Sequence, residues 1–268
     1  MKILFIGDII GRPGRNMTKQ LLPEIKKEFS PDVIIANGEN SAAGFGITAK
    51  VYKELTEMGI EVITMGNHIW DRKEFLSDIG SCPNLIRPAN YPEGVPGIGY
   101  KVFTANNGTK YAVLNLIGRV FMTAVDDPFK VGEKIINKLR KETHLVIVDM
   151  HAEATSEKQA ISWFLDGKAT ALIGTHTHVQ TADERILPGG TAMITDIGMV
   201  GSWDSIIGVE KDNIINRFLT AMPTKFEPEK NGKGIFNALL IEADPKTGKT
   251  IKLERIFKVI NEIEQEAR

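Results

Sequence analysis

Five short apolar runs, each ending in a glycine or a polar residue, constrain this chain more than any other feature. They cover 2–6, 32–36, 61–65, 144–148 and 169–173. Each is rich in Ile, Val and Leu and apolar on both sides, which suits strands covered on both faces. Amphipathic segments fall between them. The spacing predicts helices over 14–29 (with Pro23 as a kink), 48–58 (Thr48 as cap, Gly59 as stop), 129–141, 156–166 (Ser156 as cap) and 211–222. In the last, Ile214, Ile215, Phe218, Leu219 and Met222 form one stripe at helical spacing.

Other stretches read as antiparallel pairs: 100–105 with 110–116 around Asn107-Gly108, 184–195 around Pro188, and 234–242 with 249–259. Mixing βα units with hairpins, and lacking repeats or low-complexity linkers, residues 1–268 read as one layered α/β domain.

The chemistry follows the runs. After them come Asp8; Glu39 and Asn40; Asn67 and His68; His151; and His176 and His178. In open α/β sheets ligands bind at the carboxyl ends of strands, so these ends can meet at one site. Singly, each has an ordinary reading: a turn, a cap or a hydrogen-bonded histidine. His176 and His178 carry more weight, because residues two apart point to one side of an extended chain. Four of the five histidines lie at these ends, and His144, which begins a strand, reads as structural. The donors are oxygen and imidazole, without thiolate, which suits Mn, Fe or Zn in a non-cysteine site. With His68 set aside, seven candidate ligands exceed what one tetrahedral ion takes and suit two ions sharing a bridging carboxylate. Such a pair, ~3.5–4 Å apart, clamps a phosphoryl centre.

Composition narrows the rest. Lys plus Arg is 33 and Asp plus Glu is 34, so the net charge is −1, without the basic excess of a polyanion binder. The single Cys82 excludes an internal disulfide framework. The N-terminal run is too short for an export signal, and no apolar run reaches the ~18 residues of a membrane span. A cytoplasmic location is expected, with no membrane and no long nucleic acid as partner. The dinucleotide fingerprint, the P-loop and the serine-hydrolase elbow are absent.

Gly66-Asn67-His68 and Gly174-Thr175-His176-Thr177-His178 resemble motifs of the calcineurin-like metallophosphoesterases. That pattern departs at Ile10, where the family has a histidine, and at Glu39, where it has a bridging Asp. The departures, with Gly7 to Arg15, Asn37-Gly38-Glu39-Asn40, Asp126-Asp127-Pro128-Phe129 and Thr195 to Met199, resemble the YmdB-like branch.

The resemblance implies a four-layer α/β/β/α sandwich with mixed sheets and the metal site at strand C-terminal ends. It also implies two metal ions, Fe or Mn ahead of Zn, and hydrolysis of 2′,3′-cyclic nucleotides or related small phosphodiesters by in-line attack of a bridging hydroxide. One ion would take Asp8, Glu39, Asn40 and His178; the other would take Glu39, Asn67, His151 and His176. His68 is left as the acid for the leaving oxygen. Arg12 is a candidate for the substrate phosphate and Phe45 for the base, on the Gly44-Phe45-Gly46 loop. A phosphomonoesterase, or a nucleotide sensor using the same pocket, remains the alternative, and a homo-oligomer is compatible.

Overall fold

The computed structural model describes residues 1–263. The first part of the chain supplies β1 (Lys2–Ile6), β2 (Asp8–Ile9), β3 (Val33–Asn37), β4 (Val62–Thr64) and β5 (Leu85–Ile86), with helices α1 (Gly11–Phe29), α2 (Ala49–Glu57) and the short α3 (Phe75–Asp78). The middle supplies β6 (Tyr100–Thr104), β7 (Lys110–Ile117), β8 (Val146–His151), β9 (Ala171–Thr175), β10 (Arg185–Ile186) and β11 (Ala192–Ile194), with α4 (Pro128–Leu139) and α5 (Thr155–Phe164). The last part returns with β12 (Met199–Ser202), α6 (Lys211–Thr220), β13 (Gly234–Ala243) and β14 (Thr250–Ile260).

Two mixed sheets result. In the first, β1, β3, β4 and β5 run parallel, and β13 is antiparallel to β1 over 238–242 and to β12 over 234–236. β14 covers the far side of β13, and β2 lies parallel to β12. The second sheet runs β10-β11-β9-β8-β7-β6, with the inner four parallel and the two edges antiparallel.

Period-two alternation explains the layers. Ile3, Phe5, Val33 and Ile35 meet Val113, Ile147 and Ile173 between the sheets. Their neighbours Leu4, Ile6 and Ile34 pack with Met17, Leu21 and Leu55 of α1 and α2. On the outer face of the second sheet, Val146, Val148 and Leu172 pack with Ile136, Leu139 and Ile161 of α4 and α5. The order is therefore helix, sheet, sheet, helix, as the resemblance implies. Each fully buried Ile, Leu or Phe contributes about 1.5–3 kcal/mol to holding the layers together.

Several details differ from the sequence reading. β3, β8 and β9 run further than expected, so Asn37, His151 and Thr175 are strand residues rather than the turn after them. α1 begins at Gly11, directly after β2, and continues through Pro23. Thr48 caps α2, accepting a hydrogen bond from the Val51 N–H at 3.2 Å, and Asp127 caps α4 ahead of Pro128. Ser156 caps nothing: α5 starts at Thr155, so Ser156 lies inside its first turn. The α6 stripe is not core. α6 lies in the excursion between β12 and β13 and turns only Ile214 inward, leaving Phe218 84% and Leu219 80% exposed. Among the described residues no helix is long and apolar enough to cross a membrane.

Candidate metal centre

Parallel strands deliver their C-terminal ends to one side of each sheet. There β1 leads through Gly7 to Asp8, β3 to Glu39 and Asn40, β4 to Asn67 and His68, β8 ends on His151, and β9 leads to His176 and His178. Close approach demands glycine beside them. A Cβ on Gly66 would collide with Glu39 Oε2 and the His151 ring.

The His176–His178 segment is not extended, as its i, i+2 reading assumed. φ is +99° at His176 and +67° at His178, left-handed values unusual for histidine. Asp196 holds this turn: it accepts from Thr177 N at 3.0 Å and Gly198 N at 2.8 Å, and pairs with Lys158 Nζ at 2.8 Å. Both partners of that ion pair are buried.

His151 Nε2 lies 3.0 Å from Glu39 Oε1, 3.0 Å from Asn67 Oδ1 and 3.0 Å from His176 Nδ1. The Thr175 hydroxyl donates to Asp149 Oδ1 at 2.7 Å and so accepts from His151 Nδ1 at 2.8 Å. With Nδ1–H committed, neutral His151 points a lone pair at three further acceptors. With the His176 Nε2–H given to Glu153 at 3.1 Å, His176 Nδ1 is an acceptor too, and a cation among these four groups, either a proton on His151 Nε2 or a metal, satisfies them. Among the described residues, Glu39, His151 and His176 form the one group of three or more His, Cys, Asp or Glu side chains whose ligand atoms all lie within 4.8 Å of one another.

A second group abuts the first. Asp8 is fully buried and its Oδ1 has no hydrogen-bond partner. His178 Nε2 stands 3.9 Å from that oxygen and 3.1 Å from Asn40 Nδ2, which is also 3.3 Å from Glu39 Oε1. An unpartnered buried carboxylate oxygen beside an imidazole nitrogen fits a bound cation.

Electrostatics agree with a cation-seeking site. Burial pushes the Asp8 carboxyl well up; the charge of His151 offsets part of this, and the charges of Glu39, Asp196 and Asp149 add to it. Burial would also raise Glu39, but the charge and hydrogen bond of His151 outweigh it and hold Glu39 down. Burial opposes a charged His151, yet Glu39 outweighs it and pushes the imidazole up to about 9. His176 is pushed down to about 3 by burial and then by the charge on His151. Burial likewise lowers His178.

Every imidazole here has its far nitrogen engaged. His151 uses Thr175 and, through it, Asp149. His176 Nε2 lies 3.1 Å from Glu153 Oε2, His178 Nδ1 donates to the Ile207 carbonyl at 2.8 Å, and His68 Nδ1 is 2.7 Å from Asp71 Oδ2. Such partners fix the tautomer and ring orientation of a ligating histidine. Sequence reasoning missed all four. Asp71 carried a signal, being the acidic residue next after Asn67-His68; a backbone carbonyl such as that of Ile207 carries none.

A cavity of about 420 Å³ opens over this cluster, lined by Glu39, Asn40, His176 and His178 on its floor and by His68 and Phe45 at its side. The Phe45 and His68 rings meet edge-on at 4.9 Å. The Phe45 loop is tied down rather than loose, since Arg72 Nε donates to the Phe45 carbonyl at 2.9 Å and its Nη2 to that of Ala42. Arg12 is not at this cavity: α1 carries it, exposed, into a separate groove against α2 with Arg15 and Lys50. That corrects the expectation that it reaches a substrate phosphate. Trp70 packs edge-on against Tyr91 and joins the core. Cys82 is buried in the α1–α2 core cluster, so no thiolate faces the site.

Comparisons with known proteins agree in extent. The family model described as YmdB-like protein matches residues 4–256. A Bacillus subtilis (strain 168) protein named 2′,3′-cyclic-nucleotide 2′-phosphodiesterase is 50% identical over 96% of this chain and 97% of its own. A solved structure described as a novel phosphatase from Mycoplasma pneumoniae superposes with TM-score 0.91 at 38% identity, covering 97% of this chain and 94% of that one. A hypothetical protein from Thermus thermophilus superposes with TM-score 0.90 at 39% identity, covering 97% and 99%. Because motifs, sheets and matches all extend over nearly the whole length, the chain belongs to the YmdB-like protein family.

Proposed function

We propose that the chain is a metal-dependent phosphodiesterase that opens 2′,3′-cyclic nucleotides, and the observation that carries this is the convergence of Glu39, Asn67, His151 and His176 lone pairs at 3.0 Å beneath an open cavity. The 50% identical Bacillus subtilis relative supports the substrate class. Glu39, Asn67, His151 and His176 would hold one ion. Asp8, Asn40 and His178 would hold a second, sharing Glu39, with the Asn40 amide turned to present its oxygen. This oxygen and imidazole set suits iron, manganese or zinc, and the family resemblance puts iron or manganese first. When bound, two such ions supply Lewis acidity toward the phosphoryl oxygens and an activated nucleophile near neutral pH.

The chain's own residues do the rest. Thr175, Glu153 and the Ile207 carbonyl keep the ligand nitrogens aimed. His68, oriented by Asp71, hands a proton from Nε2 to the ribose oxygen as its bond to phosphorus breaks, while water supplies the oxygen gained by phosphorus. A phosphomonoesterase of the same fold would act instead on p-nitrophenyl phosphate. The test is elemental analysis of fresh protein with a screen of 2′,3′-cyclic AMP, 3′,5′-cyclic AMP, bis-p-nitrophenyl phosphate and p-nitrophenyl phosphate. About two metals per chain and preference for the 2′,3′-cyclic substrate are expected. Less than one metal and no turnover after Mn or Fe reconstitution would sink the proposal.

A further inference from the structure

The turn at 206–209 is built against the preferences of its own sequence. Ile206 and Val209 exchange both backbone hydrogen bonds at 3.0 Å, closing a two-residue loop. φ is +48° at Ile207 and +94° at Gly208. Both central residues are left-handed, the pattern of a type I′ turn, for which Asn-Gly is the favoured pair. Gly208 takes this conformation freely; a β-branched residue at 207 is a true outlier. Strain of this kind persists only where the surroundings hold it, and it gathers at functional sites.

Ile207 makes two contacts. Its carbonyl accepts from His178 Nδ1 at 2.8 Å, and the residue, 45% exposed, lines the cavity. Any residue offers a carbonyl, and Asn or Gly would offer it with less strain. What isoleucine alone adds is apolar bulk in the cavity wall. The wall around it is apolar too: Phe45, Val209, Phe226 and Pro228. It is also held in place. Phe45 is anchored through Arg72, Arg217 stacks over the Phe226 ring at 4.7 Å, and the two rings meet edge-on at 6.2 Å. None of these five side chains carries a donor or an acceptor, so the wall suits a flat, apolar-faced group gripped by stacking.

We propose that Ile207, Phe45 and Phe226 form a nucleobase subsite in which Ile207 is a specificity-determining residue, selecting cyclic phosphates that carry a base. This rests on the phosphodiesterase reading above. Without hydrogen bonds to base edges, the wall recognises that a base is present more than which one it is, since every base offers a π-face.

The experiment compares kcat/KM of the metal-loaded enzyme for 2′,3′-cyclic AMP and for 1-O-methylribose 2′,3′-cyclic phosphate, which lacks the base. Wild type favours the nucleotide. Ile207→Asn lowers that ratio about tenfold, in the range of one lost base-stacking contact. It also raises Tm by about 2–4 °C, because Asn tolerates the left-handed turn. Phe226→Ala, away from the His178 bond, lowers the ratio similarly. Unchanged ratios in both variants overturn the subsite; an unchanged ratio in Ile207→Asn alone overturns the role of Ile207. A Tm that does not rise overturns the assignment of strain to this turn. Should wild type turn over neither substrate, the phosphodiesterase reading itself fails and the subsite falls with it.

Discussion

Asp71 Oδ2 lies 2.7 Å from His68 Nδ1, which leaves Nε2 as the nitrogen available to the cavity. The backbone N–H of His68 also donates to Glu39 Oε2 at 3.1 Å, so the residue sits against the candidate ligands without needing to join them. His68→Ala is therefore expected to keep its metals and lose at least about tenfold in kcat, toward the ~10²–10⁴ of a positioned general acid. Asp71→Asn should fall between that variant and wild type. Turnover and elemental analysis on the same samples decide it; a His68→Ala enzyme as active as wild type ends the acid role.

Thr175 joins His151 to Asp149, and Asp149 in turn accepts from Asn37 Nδ2 at 3.1 Å, whose Oδ1 accepts from the Glu39 N–H at 3.1 Å. One buried carboxylate thus braces two candidate ligands. Thr175→Val keeps a strand-compatible shape but cuts this relay. Metal affinity should drop about 10–100-fold, and the orphaned groups should cost about 1–3 kcal/mol of stability. A metal titration alongside thermal melting tests both. Unaltered affinity would mean that the relay only supports the strand.

Without metal, the proton on His151 is the cation among the converging lone pairs. Its folded pKa, about 9, stands above the ordinary 6.5, so its stabilising share in the metal-free protein is full below 6.5 and fades as pH rises through about 9. A metal must displace that proton. Binding at pH 7 should release about one proton per chain from this histidine, and affinity should rise by about tenfold per pH unit until it levels near 9. Calorimetry in buffers of different ionisation enthalpy measures the release. A pH-independent affinity between 7 and 9 contradicts the assignment of His151 as a ligand.

How much of this was legible in the sequence follows from how each part is encoded. Strand ends were legible because Ile- and Val-rich runs stop at Gly, Asn, Asp or His, and parallel pairing then gathers Asp8, Glu39, Asn67, His151 and His176. The helix faces were less so. The stripe of α6 has the spacing of a core helix, and spacing alone does not say whether a sheet lies behind it. Arg12 sits in a loop-like Gly-Arg-Pro-Gly stretch that folds as the first turn of α1 and carries it to the other groove. The partners of the imidazoles were invisible because nothing distinguishes Thr175 or Glu153 from ordinary strand and turn residues until the chain is folded.

Lys158 and Asp196 form the deepest test. Lys158 is 1% exposed, beneath the His176–His178 turn that Asp196 holds through Thr177 and Gly198. An ammonium is buried there only because a carboxylate neutralises it. Lys158→Met removes one partner and strands the other, so it should cost about 3–5 kcal/mol. It should also loosen the turn that presents His176 and His178, lowering metal content. Adding Asp196→Asn removes the stranded charge and should recover part of the stability, but not the metal, since one amide oxygen replaces the two carboxylate oxygens that the Thr177 and Gly198 N–H groups use. Urea unfolding of the metal-free variants gives the coupling between the two positions. An unchanged midpoint in Lys158→Met would show that the pair does not hold the turn.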